Sequence, residues 1–290
     1  MAFWKFIFRL GKKNSEQPND MTVHQAAPLS VCDAHKSFAR LRQEGNVFYF
    51  TQRKQFHQDG VLKPATVQTV FEFAYGMTFG DEGRHRDHRS GGTHARKNGE
   101  IFANTFQGKI AECAACNYFF RFDKSITPDF SKFKLGKWDS GDLSVCGNEI
   151  AIKSTKNYGQ LLLLEESDWD QNGEYIPGKE DNNSSYNYVV MIRLKSSCED
   201  LLKRNKLLYS SSAQKTDLEK LILSQKWEYE LTGFITKADL KFIIGERYIL
   251  PKDSILNETT EMDADNYYVQ VADLREMTTW EEHSRGEADG

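Results

Sequence analysis

The feature that most constrains this chain is a change of hydrophobic period. From Asn98 to Phe120 the apolar side chains Ile101, Phe102, Phe106, Ile110, Cys113 and Tyr118 recur at roughly helical spacing. In WDSGDLSVCGNEIAIKSTK, residues 138–156, apolar and polar residues alternate instead, and a Gly147-Asn148 pair separates the two runs. This predicts a long helix, with Asn98 available as its cap, leading into a β-hairpin whose faces are set by alternation.

The rest of the chain supplies partners for that unit. With 290 residues and 39% hydrophobic content it can bury one large core or two modest ones. VCDAHKSFARLRQ has helical spacing, NVFYF is a short strand candidate, and TVQTVFEFAYGMTF reads as an apolar helix. After the hairpin come strand candidates QLLLLEE and YNYVVMIRLK, separated by a polar stretch from Asp168 to Ser185 that is expected to be an exposed loop. CEDLLKRNK, Gln214 to Gln225, WEYELTGFI and KADLKFIIG then alternate helix and strand patterns. The fold class expected is α/β, a mixed β-sheet flanked by helices with an N-terminal helical addition. Three parts are expected: a docking segment and linker (1–28), an N-terminal subdomain with a basic loop (29–97), and a core with a C-terminal extension (98–290).

Several classes are disfavoured. The opening MAFWKFIFRLGKK is interrupted by Lys5 and Arg9 and is too short to span a bilayer, so no stable membrane span is expected. Five cysteines without regular spacing, and no credible signal peptide, predict a reducing, cytoplasmic setting. Cys113 and Cys116 lie on the predicted helix without a second ligand pair, which reads as helix packing rather than zinc binding. Gly91-Gly92 lacks a P-loop context, so ATP use is not expected. A net charge of −4 means that nucleic-acid contact must come from a local patch. The densest one is RHRDHRSGGTHARK, where Arg84, Arg86, Arg89, Arg96 and Lys97 are candidate DNA contacts, with a solvated loop as the plain alternative. His85, His88 and His94 there form a lesser, HNH-type metal option.

Phosphodiester cleavage needs a nucleophilic water and neutralised phosphate charge, which clustered carboxylates supply by holding Mg²⁺ and an adjacent lysine assists by steering the water. A hairpin clusters such groups economically. Asp142 opens one strand, and on the return strand Glu149, Ala151 and Lys153 share a face while Ile150 and Ile152 face the core. GDLSVCGNEIAIK, with Glu112 in the preceding FQGKIAECA, resembles the PD-(D/E)xK, restriction-endonuclease-like superfamily over roughly Asn98 to Lys195.

The resemblance implies a restriction-endonuclease-like core and a DNA endonuclease of restriction or prokaryotic defence type. It implies Glu112, Asp142 and the residue at 151 as ligands of Mg²⁺ or Mn²⁺, and Lys153 beside the water. The departure is Ala151, where the pattern has an acid, so this copy is expected to be inactive. Glu149 is a substitute ligand about 7 Å farther along the strand, and Gln160 and Lys156 are possible additions to the cleft, Lys156 as a DNA contact. A homodimer or a regulatory protein partner is compatible with this reading. The alternative is a non-catalytic nucleic-acid-binding or interaction subunit in which Ala151 is native.

Overall fold

The computed structural model describes residues 36–80, 96–130, 143–177 and 185–286. The expectations placed on residues 1–28, on most of the basic loop and on Asp142 lie outside these residues.

In chain order the elements are β1 (Arg42–Glu44), β2 (Val47–Tyr49), β3 (Gly60–Val61), α1 (Pro64–Thr78), α2 (Asn98–Phe119), β4 (Leu143–Val145), β5 (Asn148–Lys156) and β6 (Leu161–Glu165). Then come β7 (Tyr188–Leu194), α3 (Cys198–Arg204), α4 (Lys215–Leu223), β8 (Glu228–Thr236), α5 (Lys237–Gly245), β9 (Ile249–Leu250), β10 (Ile255–Leu256), β11 (Thr260–Glu261), β12 (Asn266–Gln270) and α6 (Trp280–Gly286). The central sheet has the order β3-β8-β7-β5-β4. β5 and β7 run parallel, and the other neighbours are antiparallel. Every residue of β7 and of β8 is buried, as expected for strands covered on both faces.

Alternation along these strands feeds two apolar layers. Ile150 and Ile152 of β5, with Tyr188, Val190 and Ile192 of β7, pack with α1, α2, α3 and α4. Ala151, Val189 and Met191 point to the other side, into a layer built by α5 and the small sheet β6-β12-β9. The architecture is therefore helices, mixed sheet, then a second sheet with a helix, in agreement with the α/β reading. α2 is buried around most of its circumference, which suits its Ala and Cys content better than an amphipathic surface helix would.

Four local expectations are corrected. Residues 36–41 are not helical, and β1 follows directly. The amides of Lys36 and Ala39 donate to the carboxylates of Asp239 and Asp273 (2.8 Å each), and that of Leu41 to the Tyr268 hydroxyl (3.1 Å), so tertiary acceptors take the place of a helical ladder. Lys97, not Asn98, caps α2: the Glu100 carboxylate accepts its amide at 2.8 Å, while the Asn98 side chain donates to the Ser211 carbonyl. The stretch after Asp168 is not wholly exposed, because Trp169 is buried against Tyr175 and Tyr186. The hairpin turn is Cys146-Gly147, with φ of 49° and 81°, and Asn148 is already paired with Val145 in the ladder.

Nor do residues 36–80 form a core of their own. Phe38, Leu41 and Phe48 join the layer of Ala151, whereas Val70 and Phe71 of α1 join that of α2.

Two positive φ values in succession match the twist of a tight hairpin, but Cys146 is ill suited to that region because its Cβ crowds the backbone. Cys146→Asn, which tolerates the left-handed conformation, is expected to raise unfolding stability by about 0.5–1 kcal/mol in urea titrations. An unchanged or lower midpoint would show that the turn carries no such strain.

Candidate functional site

The hairpin forms as a paired unit. Leu143 lies opposite Ile150 and Ser144 opposite Glu149 in the antiparallel pair of β4 and β5. Asp142 itself precedes Leu143 and lies outside the described residues. Across the parallel ladder Ala151 faces Val189 and Lys153 faces Met191. Glu149, Ala151 and Lys153 thus share one side of β5, as alternation demands.

The helix acid is not brought to that side. α2 covers the face of Ile150 and Ile152, so the expectation that Glu112 joins Ala151 and Lys153 is corrected: the sheet separates them. Glu112 is buried and ion-paired with Lys109 one turn earlier. The Lys109 ammonium also donates to the Asp129 carbonyl at 2.7 Å and lies near the rings of Phe73 and Phe130. A buried charge needs a partner of opposite sign, and Glu112 supplies it.

Ala151 has 1% exposure and shares its layer with Val189, Met191 and Leu162. Among the described residues, its ladder partner is Val189, which is not acidic. Lys153 is half-buried, and Glu149 is half-buried near the turn end of the strand. Among the described residues no three His, Cys, Asp or Glu side chains are grouped to hold a metal ion.

The supplementary candidates have structural partners. Lys156 lies on the opposite face of β5 from Lys153. Its ammonium contacts Asp200 at 2.9 Å and Glu199 at 3.3 Å in the first turn of α3. Burial works against its charged form, but these two carboxylates outweigh that and raise its pKa. Gln160 is a clamp rather than a ligand: its side-chain carbonyl accepts the Lys54 amide at 2.9 Å and its amide donates to the Lys54 carbonyl at 3.1 Å. Arg96 and Lys97 stand at the entrance to α2, half-buried and exposed respectively, while Arg84, Arg86 and Arg89 lie outside the described residues. Cys113 and Cys116 are buried, and burial pushes both thiols up to about 12, in keeping with packing rather than thiolate chemistry.

Two features were missed from the sequence. Arg193, fully buried in β7, is paired with Glu230 of β8 and also donates to the carbonyls of Lys54 and Gln55 at 2.9 and 2.8 Å. Charged residues inside otherwise apolar strand runs, Arg193 in β7 and Glu228 and Glu230 in β8, were the available signal. The second is a cleft of about 680 Å³ at the other edge of the sheet, beyond β8, lined by Lys54, Asp59, Tyr118, Arg121, Tyr229 and Glu276 among others. It mixes both charges with aromatic walls.

No protein-family model, curated protein or solved structure matches the chain. No helix among the described residues is long and apolar enough to cross a membrane.

The position of Glu112 has a direct test. Glu112→Ala leaves the Lys109 ammonium buried without its carboxylate and is expected to cost about 3–5 kcal/mol, equally with and without Mg²⁺. A Mg²⁺-induced rise in Tm that the parent chain shows and the variant lacks would restore Glu112 as a metal ligand.

Proposed function

We propose that this chain is a DNA-acting protein of the restriction or prokaryotic defence kind, built on an endonuclease scaffold whose metal centre is incomplete as the sequence stands. The observation that carries this reading is the hairpin itself: its described part, from Leu143 to Lys153, pairs in register, and position 151 lies on the Lys153 face with a methyl group where the pattern calls for a carboxylate. DNA contact on this reading falls to the basic loop, with Arg86 and Arg89 at its centre.

A second reading is favoured by the burial of Ala151 in an apolar layer. There the nuclease-like scaffold serves as a non-catalytic binding or interaction subunit and alanine is the native choice. The two differ in what a carboxylate at 151 would meet. In an apolar layer an unpaired carboxylate costs several kcal/mol. At an incomplete metal centre the same charge is offset by Mg²⁺, which binds only the folded state and stabilises it.

Ala151→Asp is therefore expected to lower Tm in the absence of metal, to regain it in Mg²⁺, and to nick supercoiled plasmid at least ~10³-fold faster than the parent chain. Adding Lys153→Ala is expected to abolish the nicking. A loss of stability that Mg²⁺ does not relieve, with no nicking, would replace the endonuclease reading by the subunit reading.

The DNA partner is tested separately. Charge reversal of Arg86 and Arg89 is expected to weaken duplex binding and to flatten its dependence on salt, since each lost phosphate contact releases fewer counterions. Identical binding curves at two salt concentrations would remove the loop from the interface.

A further inference from the structure

One cluster away from the hairpin is organised around a single fully buried carboxylate. Asp239, at the start of α5, accepts the Lys36 amide (2.8 Å), the Thr236 amide (3.0 Å) and two guanidinium N–H groups of Arg275 (2.6 and 2.9 Å). Arg275 cannot retreat from this position, because its backbone is paired in both directions with Phe234 of β8, at 3.0 and 2.9 Å. On its remaining side the guanidinium meets Nε2 of His283 at 3.4 Å.

His283 belongs to α6. Its ring sits edge-on to Phe234, with centroids 5.6 Å apart, and its carbonyl accepts the Tyr188 hydroxyl at 3.2 Å. In the same helix Trp280 has 1% exposure and packs on Phe119, Tyr188 and Phe234. The contact between His283 and Arg275 has only one workable protonation state. A guanidinium has no acceptor, so Nε2 must offer a lone pair, and the imidazole must be neutral. A protonated ring would present a second N–H, and a second positive charge, to an arginine that is pinned on its other sides.

We propose that α6 is a proton-sensitive latch: protonation of His283 releases α6 from Arg275 and uncovers the seat of Trp280, while the remainder of the fold stays in place. The charged groups that act on the imidazole are Arg275 from the preceding segment, Asp239 from α5 and Glu282 from α6 itself, while the Tyr188 hydroxyl of β7 is engaged with the His283 carbonyl. Burial and the Arg275 charge lower the imidazole pKa from 6.5, and the attraction of Asp239 and Glu282 does not outweigh them. The sign follows from that direction. A depressed folded-state value means that docking is complete above the ordinary histidine range and is lost as pH falls through 6.5 towards the lower, docked-state value.

The test uses the full chain labelled with 5-fluorotryptophan, with the Trp280 ¹⁹F signal assigned by Trp280→Phe. On acidification from pH 8 to pH 5 the Trp280 signal is expected to move to its solvent-exposed position with a midpoint below 6.5, while the signals of the buried Trp169 and Trp227 keep their positions. His283→Gln, which keeps an acceptor and cannot be protonated, is expected to hold the Trp280 signal in its buried position throughout, and His283→Asn serves if the glutamine variant does not fold. A Trp280 signal that does not move in the parent chain, an equal movement in the folded glutamine or asparagine variant, or simultaneous collapse of the Trp169, Trp227 and Trp280 signals would overturn the proposal.

Discussion

The guanidinium of Arg193 is the contact on which the remaining layers depend. It is fully buried, yet it binds Glu230 on the neighbouring strand and the carbonyls of Lys54, Gln55 and Gly159, which belong to two separate connections. One side chain thus ties β7 to β8, holds the segment before β3 against the sheet and anchors the turn between β5 and β6. Removing water from such a pair is costly, and the planar fork of arginine offsets that cost only because its N–H groups find acceptors. A lysine could not bridge the same set. The polar end of the face that carries Ala151 and Lys153 is consequently filled by protein groups, and the segment at residues 54–55 lies over it.

That arrangement explains why the site was less legible than the fold. Strand and helix periods located α1, α2, β5, β7, β8 and α5 closely, because burial on one or both sides leaves a pattern in the order of residues. The failures were of a different kind. Nothing in VCDAHKSFARLRQ announces that Asp239 and Asp273, more than 200 positions later, will take its amides. Likewise Gly-Asn is a strong turn signal, and the chain turns one residue earlier because Val145 and Asn148 complete the ladder.

For the candidate site, alternation correctly grouped Glu149, Ala151 and Lys153, since two-residue periodicity is a property of the strand alone. It had no means of deciding on which side of the sheet α2 would pack. Glu112 was therefore assigned to the hairpin by the resemblance, whereas its neighbour Lys109, three residues away on the same helix, was the local clue to its ion pair. The charges at Arg193 and Glu230, within strands buried along their whole length, were a comparable clue left unused.

The pairing of β2 with β10 has a temporal consequence. Val47 and Phe48 lie beside Ile255 and Leu256 in parallel, and the arm before them is held by Asp239, Tyr268 and Asp273. During synthesis, the first described segment emerges from the ribosome long before any of these partners exists. Closing so long a loop is slow relative to local helix formation, and the waiting strand keeps its amides and Phe48 uncovered. Completion of this fold is thus tied to translation of its final quarter, and a truncated nascent chain would display an unmatched β-edge to its surroundings.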